Sequence, residues 1–304
     1  MIAIAESGST KCEWVIIKED SNEVARIRTQ GFNPYFHSSE LVKSKLLDNE
    51  EFSPFLGEIK DVHFYGAGCS SLELNSIIEN GLSQVFSNAR INVDHDLLAC
   101  AYSLYEGKPM VSCILGTGSN SCYYDGLHLK QINSALGFII GDEGGGAYFG
   151  KQLLSDYFYR KLPLEVYEDF KKTYNLDWET ARKKIYSNVF ANVYLASFMP
   201  FIAKHKDNYF VKEMIKNGFA KFIDVHVMSY PVNSSVQIGF VGSIASIFED
   251  ILKKELRKRE LELYKIVRSP IDELVQHHLK KFESDKELDN NNNNNNNNNS
   301  IQVH

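Results

Sequence analysis

The residues best suited to chemistry lie in short loops rich in glycine, serine and threonine. The first loop runs from Glu6 to Lys11 and has the composition of a phosphate cradle. Gly8 lets the backbone approach a ligand closely, and Lys11 carries positive charge. Ser9 and Thr10 offer hydroxyl and N–H donors. Glu6 is a candidate for holding Mg²⁺ through water, because magnesium prefers one or two carboxylates together with phosphate oxygens. Taken alone, this loop is explained equally well by a plain hairpin turn.

A second loop of the same kind follows an apolar strand and reads Gly116-Thr117-Gly118-Ser119-Asn120. It again leaves backbone donors and hydroxyls free for an anion. It is not a Rossmann fingerprint or a Walker A loop, since neither glycine spacing is present. Alone, such a loop is more often a turn than a site. It lies 108 residues after the first loop, at the same place in a strand–loop–strand unit, which indicates an internal duplication of a fold half.

A third stretch, from Gly137 to Gly146, holds the adjacent carboxylates Asp142 and Glu143 just before a predicted helix. Four glycines bracket this pair, and a structural turn seldom needs so many. A site in which backbone touches a ligand while a carboxylate binds the ligand's hydroxyls accounts for them better. We therefore interpret this stretch as functional.

The elements that must position these loops alternate between strands and helices, which is typical of the α/β class. Strands are predicted at 1–5, 12–18, 23–29, 61–65, 89–93, 110–115, 121–124, 127–132, 235–241 and 262–267. Helices are predicted from 70 or 71 to 86, from 94–96 onward, at 147–160, over most of 164–228, at 244–259 and at 271–282. The asparagine run at 290–299 has no apolar surface to bury, so a disordered tail is expected there.

Length and composition fit two globular domains: the chain has 304 residues, 43% of them hydrophobic, and a formal net charge of −6. That charge argues against a protein that tracks a nucleic-acid backbone. The N-terminus reaches Glu6 before a signal-peptide core could form, and the most apolar later window, 238–248, is too short to span a bilayer. The five cysteines are scattered and mostly lie in apolar runs, which is typical of buried free thiols in a reducing compartment. These features predict a soluble, cytoplasmic protein.

Four motifs together carry a family resemblance. They are Glu6-x-Gly-x-Thr-Lys11, Gly116-Thr-Gly-Ser-Asn120, Gly141-Asp-Glu-Gly144 and, after a strand, Val241-Gly-Ser243. In this order they resemble the N-acetylglucosamine kinases, which belong with the BadF/BadG/BcrA/BcrD-type ATPases in the acetate kinase, sugar kinase, Hsp70 and actin superfamily. The resemblance covers roughly residues 1 to 283. Four ordered motifs are far more specific than any one of them.

The resemblance implies two ribonuclease-H-like α/β domains of the actin-like ATPase type around a central cleft. The N-terminal domain would span 1–103, the C-terminal domain with its helical insert 104–286, and a disordered asparagine-rich tail 287–304. ATP and Mg²⁺ are the implied cofactors, and the implied reaction transfers the ATP γ-phosphate to a hydroxyl of an amino sugar. N-acetylglucosamine is the first candidate for the acceptor, with its 6-phosphate as product, and related amino sugars are alternatives. The resemblance leaves open whether the protein is a homodimer. No nucleic-acid or membrane partner is expected.

The resemblance also implies individual roles. The two phosphate motifs and the adenosine motif would bind nucleotide through Gly8, Ser9, Thr10, Lys11, Gly116, Thr117, Gly118, Gly242 and Ser243. The sugar would be bound by Asn33, Asn120 and Asp142. Glu6 would hold the metal at a position where the superfamily commonly has the shorter Asp.

Asp96 matches the catalytic base of the family, at the start of the helix that follows the fifth strand. Asp94, two residues earlier on the strand side, is the rival for that role. An aspartate at the start of a helix is also a common N-cap, which is the structural alternative for Asp96.

Two other functions occur on the same fold. An ATP-driven activator of a 2-hydroxyacyl-CoA dehydratase would hold a [4Fe–4S] cluster between two subunits, but no pair of cysteines in this sequence has a convincing ligand setting. A sugar-sensing regulator would need a DNA-reading element, and the sequence shows no helix-turn-helix or basic insert. The sugar kinase is therefore the function that we expect.

Overall fold

The computed structural model describes residues 1–18, 22–233 and 235–282. The expected asparagine-rich tail at 287–304 and the predicted domain end at 286 lie outside these residues.

Within the described part of the chain, ten strands form two sheets with the same strand order. The first sheet, ordered β3-β2-β1-β4-β5, consists of β1 (Ile2–Ser7), β2 (Lys11–Ile17), β3 (Glu23–Gln30), β4 (Asp61–Gly66) and β5 (Arg90–His95). The second, ordered β8-β7-β6-β9-β10, consists of β6 (Met110–Leu115), β7 (Ser119–Tyr124), β8 (Leu129–Lys130), β9 (Gln237–Val241) and β10 (Lys265–Val267). In each sheet the first three strands are antiparallel and the last two continue in parallel. The repeat predicted from the two hydroxyl loops is therefore present in the topology.

Helices cover the sheets and enlarge the second half. The first half contains α1 (Ser39–Leu47), a 3₁₀ turn (Glu50–Phe52), α2 (Leu72–Ser83) and α3 (Asp96–Leu104). The second half contains α4 (Gly137–Ile140), α5 (Gly146–Phe158), α6 (Leu164–Tyr174), α7 (Trp178–Tyr186), α8 (Ala191–Ala196), α9 (Met199–Lys204), α10 (Tyr209–Phe222), a π-helical turn (Ile223–Val227), α11 (Ser243–Ile247) and α12 (Glu249–Arg257). Residues 271–282 are helical as well. Among the described helices, none has the length and apolar character needed to cross a bilayer.

Two predicted elements differ from the structure. The helix expected over 244–259 is interrupted at Phe248, which has non-helical dihedral angles (φ −113°, ψ 28°) and a buried ring. The strand expected over 127–132 is reduced to Leu129–Lys130 at the sheet edge.

Alternate residues of β2 enter two different cores, because successive side chains of a strand point to opposite faces of its sheet. Cys12, Trp14 and Ile16 pack under α1 and α2, whereas Val15 and Ile17 pack on the other face. Both faces of the first sheet are thus covered. This explains the nearly continuous apolar run of the strand.

Helix α3 lies between the two sheets and contacts both. Ala99 packs with Ile4 of the first sheet, while Cys100 and Leu104 pack with Met110 of the second. Because one rigid element is buried against both halves, α3 fixes their separation.

The helix at 271–282 packs against the first sheet, through Ile271 and Leu274 on Ile4 and Val15. The sequence analysis assigned this helix to the second domain. The chain instead returns to the first sheet after it has completed the second. The boundaries at 103 and 286 stay predictions.

Helices α5 and α8 approach each other most closely at Gly150. A Cβ at this position would lie 1.8 Å from the backbone oxygen of Leu195, well inside van der Waals contact. The contact lets α5, which follows the third glycine-rich stretch, dock directly on the backbone of α8.

We expect Gly150→Ala to lower the free energy of unfolding by about 2 kcal/mol, because separating two packed backbones costs more than the added helix propensity returns. Gly57→Ala is the matched control, since a Cβ there meets nothing within 4 Å. Thermal unfolding should show a lower melting temperature for the first variant alone. Equal melting temperatures for the two variants would contradict the tight α5–α8 contact.

Candidate active site

The two hydroxyl loops meet in the structure. The first closes as a turn after β1, with the Gly8 backbone N–H donating to Lys11 O at 3.0 Å. The hydroxyl oxygens of Thr10 and Thr117 lie 3.5 Å apart, although the two residues are 107 positions apart in sequence. Since β1 and β6 hold equivalent places in their sheets, equivalent strand ends face each other. The loops predicted to bind one phosphate chain are thereby brought together.

The second loop is held by the first turn of α5. Gly146 N–H donates to Gly116 O and Ala147 N–H donates to Thr117 O, both at 2.8 Å. These helix amides are often free at an N-terminus, but here the loop carbonyls accept from them. Gly145 allows this docking, because a Cβ on it would lie 2.7 Å from the Gly118 backbone carbon.

Two of the glycines around Asp142 make close contacts within the protein. Gly144 has a left-handed φ of 72° and faces the side chains of Phe222 and Leu115, and Gly145 faces the backbone of the second loop. Packing therefore accounts for these two glycines. The contact of this stretch with a ligand stays a prediction.

Asp142 and Gly118, predicted separately as sugar-binding and nucleotide-binding residues, are in contact. The Asp142 carboxylate accepts the Ser119 backbone N–H at 3.2 Å, and it fills the space that a side chain at Gly118 would need. Burial raises the pKa of Asp142 from 3.8 to about 6. Asp142 itself has a left-handed φ of 58°, which turns its side chain toward the loop.

The predicted adenosine motif lies at the same edge of the second sheet. Strand β9 pairs in parallel with β6, so the ends of both strands point the same way. Gly242 follows β9 with a φ of 123° and donates its N–H to Val267 O, and Ser243 then begins α11. Gly242 and Ser243 thus lie beside the second phosphate loop.

Glu6 and Asp96 form a pair of carboxylates beneath the first loop. Burial, followed by the charge of Asp96, raises the pKa of Glu6 from 4.5 to about 7, and Lys11 opposes this shift. A divalent cation relieves the repulsion that raises the proton affinity of Glu6. The described residues contain no group of three or more His, Cys, Asp or Glu placed to hold a metal ion. A single carboxylate such as Glu6 suits a magnesium ion whose other ligands are water and phosphate oxygens.

His95, and not Asp96, caps helix α3. Its Nδ1 accepts the Leu97 backbone N–H at 3.0 Å. The same Nδ1 lies 2.6 Å from Asp96 Oδ1. One ring nitrogen cannot accept and donate at once, so His95 caps the helix when Nδ1 is bare and donates to Asp96 when Nδ1 carries a hydrogen. His95 is absent from the predicted site residues, although its position between two aspartates is a signal for such a pair.

Lys11 is engaged away from the loop. Its ammonium lies 3.2 Å from Glu13 Oε2, and Glu13 also pairs with Arg28 and accepts the Ser269 hydroxyl hydrogen bond at 2.7 Å. In this structure the positive charge predicted for the phosphate motif therefore points toward Glu13.

Asn33 lies on the first-sheet side of the site. Its side-chain oxygen accepts the Tyr35 backbone N–H at 3.0 Å, and its own backbone N–H donates to His37 Nδ1 at 3.0 Å. The carboxamide fills the space beside Gly68, so the loop at 30–36 and the turn after β4 form one wall.

Asn120, the third predicted sugar-binding residue, is placed differently. It belongs to β7, and its side-chain oxygen accepts from Gln131 Nε2 at 2.7 Å and from the Ser121 backbone N–H at 2.9 Å. Its carboxamide oxygen thus accepts a hydrogen bond from Gln131, which directly follows the edge strand β8.

The cysteines are all buried and free, as their apolar surroundings predicted. Cys100 and Cys122 donate their thiol hydrogens to the backbone oxygens of Cys113 and Leu97, at 3.5 and 3.8 Å. They are part of the packing around α3.

Several solved structures have a similar fold. The chain is 33% identical to a candidate N-acetylglucosamine kinase from Porphyromonas gingivalis, over 92% of this chain and 99% of that one, with a TM-score of 0.85. A candidate N-acetylglucosamine kinase from Chromobacterium violaceum is 14% identical over 91% and 98% of the two chains, with a TM-score of 0.70. A ROK-family glucokinase from Streptomyces griseus, solved with glucose and AMPPNP, is 11% identical over 90% and 96%, with a TM-score of 0.52. No family model and no curated protein matches the chain.

Two sheets of one strand order, with hydroxyl loops meeting between them, define a two-domain protein of the actin-like ATPase and sugar kinase fold. The similarity to the Porphyromonas gingivalis protein narrows this class. The chain belongs to the N-acetylglucosamine kinase-like family. The fold class and the family predicted from the four motifs are thereby confirmed.

Glu6 and Glu13 give opposite pH dependences of stability. Because the pKa of Glu6 is raised to about 7, the folded protein keeps a proton that the unfolded chain loses, and stability falls as the pH rises from 4.5 to 7. Burial alone would raise the pKa of Glu13, but the Ser269 hydrogen bond and Lys11 lower it overall. Its contribution is therefore present above pH 4.5 and is lost at lower pH.

We expect Glu6→Gln to raise the free energy of unfolding of the nucleotide-free protein by about 2 kcal/mol at pH 8 and to change it little at pH 5. Glu13→Gln should lower it at pH 8. Denaturant unfolding at the two pH values measures both effects. If Glu6→Gln is less stable than the wild type at pH 8, burial of the charged Glu6 carboxylate does not destabilise the folded protein.

Proposed function

We propose that this protein is an ATP-dependent sugar kinase that transfers the γ-phosphate of ATP to a hydroxyl of an amino sugar. The observation that carries the proposal is the meeting of Thr10 and Thr117, 3.5 Å apart. Phosphoryl transfer needs positioning and charge stabilisation more than covalent chemistry. A point where two hydroxyl-bearing loops from two sheets converge provides such positioning for one triphosphate.

The nucleotide would be bound by the second sheet and its loops. The Thr117 backbone and hydroxyl donors and the Ser119 hydroxyl would face the phosphates, because the Ser119 N–H already donates to Asp142. Gly242 with Ser243 would lie along the adenosine. Glu6 would hold the magnesium ion that accompanies ATP, which leaves Asp96 free for the acceptor hydroxyl. When bound, that ion would neutralise charge on the phosphates. Lys11 would be available to the phosphates only after leaving Glu13, from which it is 3.2 Å away.

The sugar would lie between Asn33 on the first-sheet side and Asp142 on the second-sheet side. Both are hydrogen-bonded to backbone and are thereby held in place. A carboxylate and a carboxamide are suitable partners for sugar hydroxyls, because together they accept and donate hydrogen bonds.

Asp96 would accept the proton of the attacking hydroxyl on its carboxylate. It stands at the junction of β5 and α3, next to Glu6 and therefore next to the first phosphate loop. His95 Nδ1, 2.6 Å from Asp96 Oδ1, would be a second site for the proton once it gives up the Leu97 N–H. A positioned base of this kind contributes a factor of ~10²–10⁴ in rate.

N-acetylglucosamine is the acceptor that we propose, with the 6-phosphate as product. Support comes from the candidate N-acetylglucosamine kinase of Porphyromonas gingivalis, to which this chain is 33% identical over 99% of that protein's length. The test is an ADP-release screen with MgATP across N-acetylglucosamine, N-acetylmuramic acid and glucosamine. No rise above background turnover with any sugar would refute the kinase, and a preference for another amino sugar would refute only the acceptor.

We expect Asp96→Asn to lower kcat by a factor of ~10²–10⁴, because the amide cannot take the hydroxyl proton. The melting temperature should change little, since His95 supplies the cap of α3. Asp94→Asn, at an exposed position of β5, is the matched control and should keep most activity. Steady-state kinetics with the best acceptor from the screen measure both variants. An inactive Asp94→Asn beside an active Asp96→Asn would move the base by two residues.

A further inference from the structure

Aromatic contacts join the loop that carries Asn33 to a segment of the second half. The rings of Phe36 and Phe190 have their centroids 5.8 Å apart in an edge-on arrangement, and those of His37 and Phe190 are 5.7 Å apart. Phe190 directly precedes α8. The contact therefore bridges the two halves of the molecule on the side where the sugar would enter.

On the first-half side, the contact leads straight to Asn33. His37 is buried, and its Nδ1 accepts the Asn33 backbone N–H at 3.0 Å. Burial lowers the pKa of His37, so the ring stays neutral at pH 7 and keeps that acceptor. A ring that packs on His37 therefore fixes the loop that holds Asn33.

On the second-half side, the contact leads to Asp142. Helix α8 docks on α5 at Gly150, and the first turn of α5 holds the second loop through Gly146 and Ala147. That loop in turn donates the Ser119 N–H to Asp142. Phe190 is thus connected through packed backbone to the opposite wall of the sugar site.

Residues 34–40 border solvent on the side of α2. Together with Ile77 they line an open depression of about 370 Å³. Tyr35 and Phe36 remain 64% and 43% exposed. Phe190 is therefore an important packing partner of the His37 ring on this side.

We propose that Phe190 is a positioning residue that links the second half of the molecule to the loop that places Asn33 against the sugar. This inference rests on the proposed function and deepens it, since it concerns how the same site selects its acceptor. Phe190 does not touch the reacting atoms. It acts by packing on Phe36 and His37, so its loss weakens sugar binding and leaves the nucleotide side unaffected.

The test compares Phe190→Ala with Val189→Ala, a neighbouring side chain that is 66% exposed. The Phe190→Ala protein should show KM for N-acetylglucosamine raised about tenfold, with KM for MgATP within twofold of the wild type. Phe190→Tyr should restore the sugar KM, because it keeps the ring. Val189→Ala should match the wild type in both constants.

Phe36→Ala tests the contact from its other side and guards against a folding defect in the Phe190 variant. It should raise the sugar KM to a similar extent, and the double variant should add little, because both changes break one contact. Additive effects, or a Phe190→Ala sugar KM equal to that of Val189→Ala, would overturn the inference while leaving the kinase intact. A wild type that phosphorylates no amino sugar would overturn both.

Discussion

The two hydroxyl loops can meet only because both sheets are pressed against one helix. Thr10 and Thr117 each sit at the end of the first strand of a repeat, and the 3.5 Å between their hydroxyls depends on how far apart the sheets stand. Helix α3 sets that separation by burying Ala99 on one side and Leu104 on the other. The same helix begins with Asp96, so the carboxylate next to the loops is carried by the element that aligns them.

The second loop depends on close backbone packing. Its carbonyls accept hydrogen bonds from the first amides of α5. This packing requires glycine where the two segments touch, at Gly118 and Gly145. One chain segment thereby orders the loop and presents Asp142, whose carboxylate accepts a loop N–H. The residues proposed to bind nucleotide and Asp142, proposed to bind the sugar, are consequently parts of one hydrogen-bonded unit.

Much of this molecule could be predicted from local sequence. The strands that flank the first two loops, the duplication and the family follow from periodicity and from four motifs in order. What could not be predicted depends on distant partners. Lys11 pairs with Glu13, and Arg28 and Ser269 hold that carboxylate in place from other parts of the chain. Likewise His95 takes the cap expected of an aspartate, and the break at Phe248 arises where its ring enters the core. The break at Phe248 has no local signature.

The return of the chain to the first sheet has a consequence for its synthesis. The face of that sheet formed by Ile4 and Val15 is packed against the helix at 271–282, which follows the whole second sheet in the chain. The N-terminal half leaves the ribosome before this helix is made, so part of an apolar face stays uncovered in the nascent chain. The first half therefore reaches its final packing only after the second half has been synthesised.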